Sequence, residues 1–159
     1  MNHVSSQILV LLEGTWTGDG RGEFPGVTSF DYRETLTFTR RDEKTLAYEQ
    51  HAQKRYDGQT DYLPSHAEHG FIRIAENGEL ELVSNQKGRN EVLVGSVEPV
   101  RTSFRIYFVS KSITDDPRMV SSERTFELEG DVLRYEMSMH TTKVEELTPH
   151  LKITLQRAK

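Results

Sequence analysis

Cysteine is absent from this chain of 159 residues, which excludes disulfides, thiolate metal centres and cysteine nucleophiles and favours a reducing compartment. Long hydrophobic runs are absent too. The apolar stretch from Ile8 to Leu12 is too short to span a bilayer and has neither a basic leader nor a small-residue cleavage site, so a soluble, cytoplasmic protein is expected. Basic clusters are equally scarce. With a net charge of -5 and Arg40-Arg41 and Lys54-Arg55 as the only adjacent basic pairs, a nucleic-acid backbone would be repelled. No G-x-S-x-G elbow occurs, so serine hydrolase chemistry lacks its usual strand-turn-helix setting, and no motif supports a paired-carboxylate hydrolase.

The remaining composition suits a shell of short strands. The hydrophobic fraction is 35% and the mean hydropathy -0.64, as expected for strands buried on one face and wet on the other. The length corresponds to a single domain over residues 1–159. Val4, Ile8, Leu11 and Leu12 recur at helical spacing, with Ser5 or Ser6 as a cap, and predict a short amphipathic helix over residues 3–12 that ends near Gly14.

Beyond Gly14 the period changes to two. Strands are predicted over 14–22, 30–38, 45–54, 67–75, 79–84, 91–97, 104–109, 122–129, 132–140 and 151–156. Phe30, Tyr32, Leu36 and Phe38 share one face of the second, with Glu34 among them. Asn77-Gly78 and Gly130-Asp131 are the best hairpin signals, because tight hairpins need positive φ. Ten strands joined by short hairpins, with no helical insertion, point to an all-β antiparallel up-and-down meander that removes its edges by closing into a barrel. Such a barrel encloses a cavity for small apolar ligands.

Three stretches carry candidate chemistry. In the first strand, alternation places Gly14, Trp16, Gly18, Gly20 and Gly22 on one side. Barrel curvature, with Trp16 plugging one end, explains them more simply than ligand contact, and no helix follows to make a phosphate loop. In His66-Ala67-Glu68-His69-Gly70-Phe71-Ile72-Arg73, His66 and Glu68 share one face and His69 and Arg73 the other. Zinc needs three or more converging ligands, so a histidine-carboxylate hydrogen bond is the expected arrangement. In the third stretch, Met137 and Met139 continue the apolar face of Leu133 and Tyr135, while His140 points the other way.

His150 follows Pro149 at the start of the last strand. A histidine there can ligate a cofactor metal, although by itself a surface or hydrogen-bonded role is commoner. Strict alternation sets it opposite Leu151, Ile153 and Leu155. Either Pro149 breaks the alternation, or those apolar residues face something other than the cavity.

Gly14-x-Trp16-x-Gly18-x-Gly20-x-Gly22 with Phe24-Pro25, Tyr32-x-Glu34, His66-x-Glu68-x-Gly70-Phe71-x-Arg73, and Met139 with Thr148-Pro149-His150-Leu151 resemble the nitrobindin family, in order and over nearly the whole chain. The resemblance implies a calycin, fatty-acid-binding-protein-like barrel with a short capping helix, holding ferric haem b through one histidine. That ligand would be His150, with His66 beside the distal side of the pocket and Met139 near its wall. It further implies nitric oxide binding and isomerisation of peroxynitrite to nitrate at the iron, with no catalytic residue beyond the haem. Set against the family pattern, Gly26 stands where many relatives carry threonine after the Phe-Pro pair, which implies a missing polar contact to the haem edge. The resemblance also implies a loop from Met139 to His150 one residue longer than usual, through Lys143-Val144-Glu145-Glu146. Both departures motivate an alternative in which the barrel carries or senses a fatty acid or other apolar ligand without catalysis. A third reading is a structural or interaction barrel whose histidines are only hydrogen-bonded. Expected partners are therefore haem, nitric oxide and peroxynitrite, or a lipid, with a homodimer open and neither nucleic acid nor a membrane involved.

Overall fold

The computed structural model describes residues 3–159. After helix α1 (His3–Leu12) come β1 (Gly14–Phe24), β2 (Val27–Asp42), β3 (Thr45–Tyr56), β4 (Leu63–Ile74), β5 (Leu80–Gln86), β6 (Arg89–Val100), β7 (Ser103–Thr114), β8 (Met119–Glu129), β9 (Val132–Thr141) and β10 (Thr148–Arg157). Each strand pairs antiparallel with the next, and β1 pairs with β10, which closes the barrel. Closure leaves no strand edge unpaired. The predicted helix, strand count and antiparallel meander are all present. The strands nearest the barrel mouth run longer than alternation indicates: β4 begins at Leu63 and β7 continues to Thr114, through residues that are largely exposed.

The helix closes one end. Ile8, Leu9 and Leu12 are fully buried beneath it, with Leu9 taking the place expected of Leu11 on the buried stripe. Ser5 donates to the Gly78 carbonyl in the β4–β5 hairpin (3.0 Å), and Gly78 adopts the positive φ that its hairpin requires. The helix C-terminus leaves carbonyls without intrahelical partners. The Trp16 indole donates to Leu12 O (2.9 Å), and Arg157 donates to Leu11 O (2.6 Å) and Glu13 O (2.7 Å) while stacking over the Trp16 ring. Trp16 thus plugs the closed end.

Inward residues fall into layers. Next to the helix the lumen is apolar, with Phe38, Leu46, Leu80, Leu93, Phe108 and Leu133 buried. The middle is polar, with Glu34, Gln50, Glu68, Glu91, Ser122 and Arg124 buried. These side chains fill the space. The void between Glu34, Tyr48, Arg124 and Tyr135 measures about 10 Å³, room for a single water at most. The expected lumenal cavity is therefore occupied by side chains at the barrel centre, and a fatty-acid chain does not fit there.

Candidate functional site

The site lies at the end opposite the helix, where the β1–β2 turn, the β9–β10 connection and the first residue pairs of β10 meet. Along β10, Pro149 pairs with Ser138 and Leu151 with Met137. Ser138 and Met137 are consecutive, so His150 is the additional residue of a β-bulge. A bulge re-aims a side chain and resets the alternation, and proline, lacking an N–H, is at home beside one. Ile153 and Leu155 consequently face the core, fully or nearly fully buried, while His150 sits against the mouth.

There the imidazole meets Phe24 edge-on at 5.5 Å and Phe30 at 6.4 Å between centroids. Its Nδ1 lies 3.1 Å from the Glu23 carbonyl oxygen. A carbonyl only accepts, so Nδ1 carries the proton and Nε2 keeps its lone pair. Among the described residues Nε2 has no hydrogen-bond partner. Burial pushes the His150 pKa below its ordinary value; the bond to Glu23 offsets part of this, and the charges of Arg89 and His66 add to the depression. His150 is thus a neutral, oriented imidazole with one free nitrogen, as a metal-bound histidine requires.

Gly26 and Met139 line a cleft of about 210 Å³ at the same mouth, together with Phe24, Met119, Arg89 and Arg118. Gly26 has φ +78°, and a Cβ built there meets nothing. Its glycine follows from the turn: after Pro25 a tight turn needs a residue at positive φ. Gly22 is different. A Cβ there would lie 2.2 Å from the Phe30 ring, so its absence lets Phe30 lie across β1 beneath His150. The glycines of β1 serve neighbouring protein groups, as the curvature reading expects. In the β9–β10 connection, Thr142 N donates to Arg118 O (2.8 Å) and Val144 N to Thr141 O (3.2 Å), and Glu145 and Glu146 are exposed.

His66 reaches the site from β4. Its Nε2 is 3.2 Å from Glu68 Oε2, the predicted histidine-carboxylate pair. Glu68 is the start of a buried network spanning the lumen. It accepts from Tyr48 (2.6 Å), Ser84 (2.8 Å) and Arg124, and Arg124 also donates to Glu91 (2.6 Å). Glu91 accepts from Ser122 (2.6 Å) and Gln86 (2.8 Å), and Gln86 accepts from Arg89 (2.9 Å) at the mouth. Burial alone would raise the Glu68 carboxyl, but the Arg124 guanidinium and hydrogen bonds from His66, Tyr48 and Arg124 outweigh it and hold it below the usual carboxylate range. Glu91 is lowered against its own burial by Arg124, Ser122 and Arg89.

Glu34 is the exception. Among the described residues neither of its oxygens meets a donor in full hydrogen-bonding geometry, and burial pushes its pKa up to about 8. The Gln50 amide, close but poorly aligned, and the Arg124 charge offset part of the rise, while the Glu68 charge adds to it. It is protonated at neutral pH.

Gly26 and Met139 thus share one cleft at the mouth, whereas His150 lines a neighbouring cleft of about 430 Å³ with Arg21, Glu23, Met137 and Lys152. His66 and Arg89 are close enough for their charges to act on His150. Sequence reasoning missed the Glu23 carbonyl, Arg89, Arg118 and the Arg124 network. Arg124 had a local signal, since it shares the inward face of Ser122, Phe126 and Leu128. The carbonyl had none, because any residue supplies one.

A closed antiparallel barrel with a bulge-mounted, neutral histidine at an aromatic mouth defines a small-ligand-binding β-barrel. Residues 6–157 match the THAP4-like, haem-binding β-barrel domain, and the chain belongs to that family. It is 35% identical to peroxynitrite isomerase 1 of Mycolicibacterium paratuberculosis over 159 residues, covering 98% of this chain and 96% of that protein. It is 33% identical to a peroxynitrite isomerase of Nocardia farcinica, covering 98% and 92%. The crystal structure of Rv2717c from M. tuberculosis superimposes with a TM-score of 0.85 at 28% identity, covering 98% of each chain.

Proposed function

We propose that this chain binds ferric haem b through His150 Nε2 and isomerises peroxynitrite to nitrate, binding nitric oxide at the same centre. The observation that carries the reading is the His150 geometry: Nδ1–H given to the Glu23 carbonyl, Nε2 free, and a depressed pKa that keeps the ring neutral. Family membership and the named activity of full-length relatives support it.

The residues present suit the group. Phe24, Phe30, Met137 and Met139 offer apolar and polarisable surface to a porphyrin, and Arg89 and Arg118 at the cleft are suited to its carboxylates. When bound, haem supplies the iron at which the substrate oxygens rearrange. His150 would hold the group through its free Nε2, oriented by the Glu23 carbonyl, and Phe24 and Phe30 against the imidazole would exclude bulk water around it. His66 is positioned by Glu68 to hold or release a proton near that mouth. Gly26 and Met139 shape the cleft wall. A cysteine-free composition is in keeping with a reducing compartment, and we place the chain in the cytoplasm on that ground.

Stopped-flow decay of peroxynitrite with the haem-loaded chain tests the activity. The decay rate rises in proportion to loaded protein, with nitrate as the dominant product. Decay and nitrite yield matching those of buffer would refute it.

A further inference from the structure

The outer wall carries a second histidine cluster that the mouth does not use. In the β3–β4 ladder Glu49 pairs with His69 and His51 with Ala67, which sets His51 diagonal to His69 on the outward face. Their rings meet edge to face at 5.8 Å, and His69 Nδ1 lies 3.3 Å from Glu49 Oε1. One ligating atom from each of the three side chains lies within 4.8 Å of the other two, and all three residues are exposed.

We propose that Glu49, His51 and His69 form a site for a divalent transition-metal ion, zinc above all, on the outside of the barrel. Bonds of about 2.0–2.2 Å in tetrahedral geometry bring two ligand atoms to about 3.3 Å from one another. Exposed side chains cover the remaining distance by small rotations, while the strand ladder holds their Cα atoms in place whether or not an ion is bound. Two imidazoles and one carboxylate favour zinc, copper or nickel over magnesium or calcium, which take oxygen ligands. Three protein ligands leave the fourth position to water, and the single carboxylate offsets part of the ion's charge. The local spacing of the β4 histidines does not reveal this set, because two of the three ligands come from β3.

Zinc titration of the full-length chain by calorimetry tests the site, with His51→Ala, His69→Ala and His150→Ala in parallel. One ion binds saturably per chain below millimolar zinc. Each outer-wall substitution weakens it by at least the roughly tenfold that loss of even an outer-shell partner costs, and His150→Ala leaves it unchanged. Cobalt(II) in its place gives visible absorption bands that both outer-wall variants lose. Absence of saturable binding, binding that survives both outer-wall substitutions, or binding lost in His150→Ala would overturn the proposal.

Discussion

At the residue scale, the proposed function rests on one nitrogen. In the proposed complex a proton would compete with iron for His150 Nε2, and burial lowers the imidazole pKa from its ordinary 6.5. Haem retention followed by its Soret absorption as pH falls therefore has a midpoint below pH 6.5, and a midpoint above pH 7 would mean that the imidazole is not protected. Glu34 gives the opposite kind of prediction. Its folded pKa of about 8 exceeds the ordinary 4.5, so between these values the folded chain holds a proton that the unfolded chain has lost. Stability falls as pH rises through this window, and the cost is complete above about pH 8. Glu34→Gln should remove this dependence and stabilise the barrel at pH 9 by about 2–5 kcal/mol, measured by urea unfolding at pH 5 and pH 9. Equal pH slopes for both proteins would place water or a counter-charge at Glu34. The sequence already put Glu34 on the apolar face of its strand. It could not show that, among the described residues, no side chain completes a hydrogen bond to its carboxyl.

At the scale of elements, the network through Arg124 ties β8 to β4 and β6 across the barrel interior. Arg124→Ala would leave Glu68 and Glu91 buried without their shared cation, at a cost of about 3–5 kcal/mol in denaturant unfolding. A loss under about 1 kcal/mol would show that the carboxylates find other partners or take up protons. Glu68→Gln keeps the shape but removes the charge that Arg124 and His66 both contact. The bulge in β10 shows how far local pattern carries. Pro149 and the apolar run after it make a break in alternation one of two readings. The choice between them is made by β9, whose consecutive Ser138 and Met137 pair on either side of His150. Likewise, Gly26 stood out from the sequence as a departure from the family, whereas the Phe24–Val27 turn assigns it a backbone role.

At the scale of the whole molecule, the barrel is graded from a helix-capped apolar end, through a polar middle, to an aromatic mouth. The strand count, the antiparallel order and the capping helix were legible because period-two patterning and hairpin glycines are local properties. Strand extents at the mouth were not, since β4 and β7 continue there through exposed residues with little apolar alternation. Nor was the filling of the lumen, which depends on how inward side chains from opposite walls meet. Of the candidate site, His150, His66, Met139 and Gly26 were nameable in advance through the family's motifs. The Glu23 carbonyl that orients His150 was visible only once β1 and β10 lay side by side.

The central claim is that His150 Nε2 is the nitrogen that holds the iron. Ferric haem titrated into the purified chain and into His150→Ala, followed by optical absorption, tests it most directly. A saturable Soret band at one haem per chain that is lost in a variant with unchanged circular dichroism and melting temperature is the predicted result. Stoichiometric binding with an unchanged spectrum in His150→Ala would contradict it.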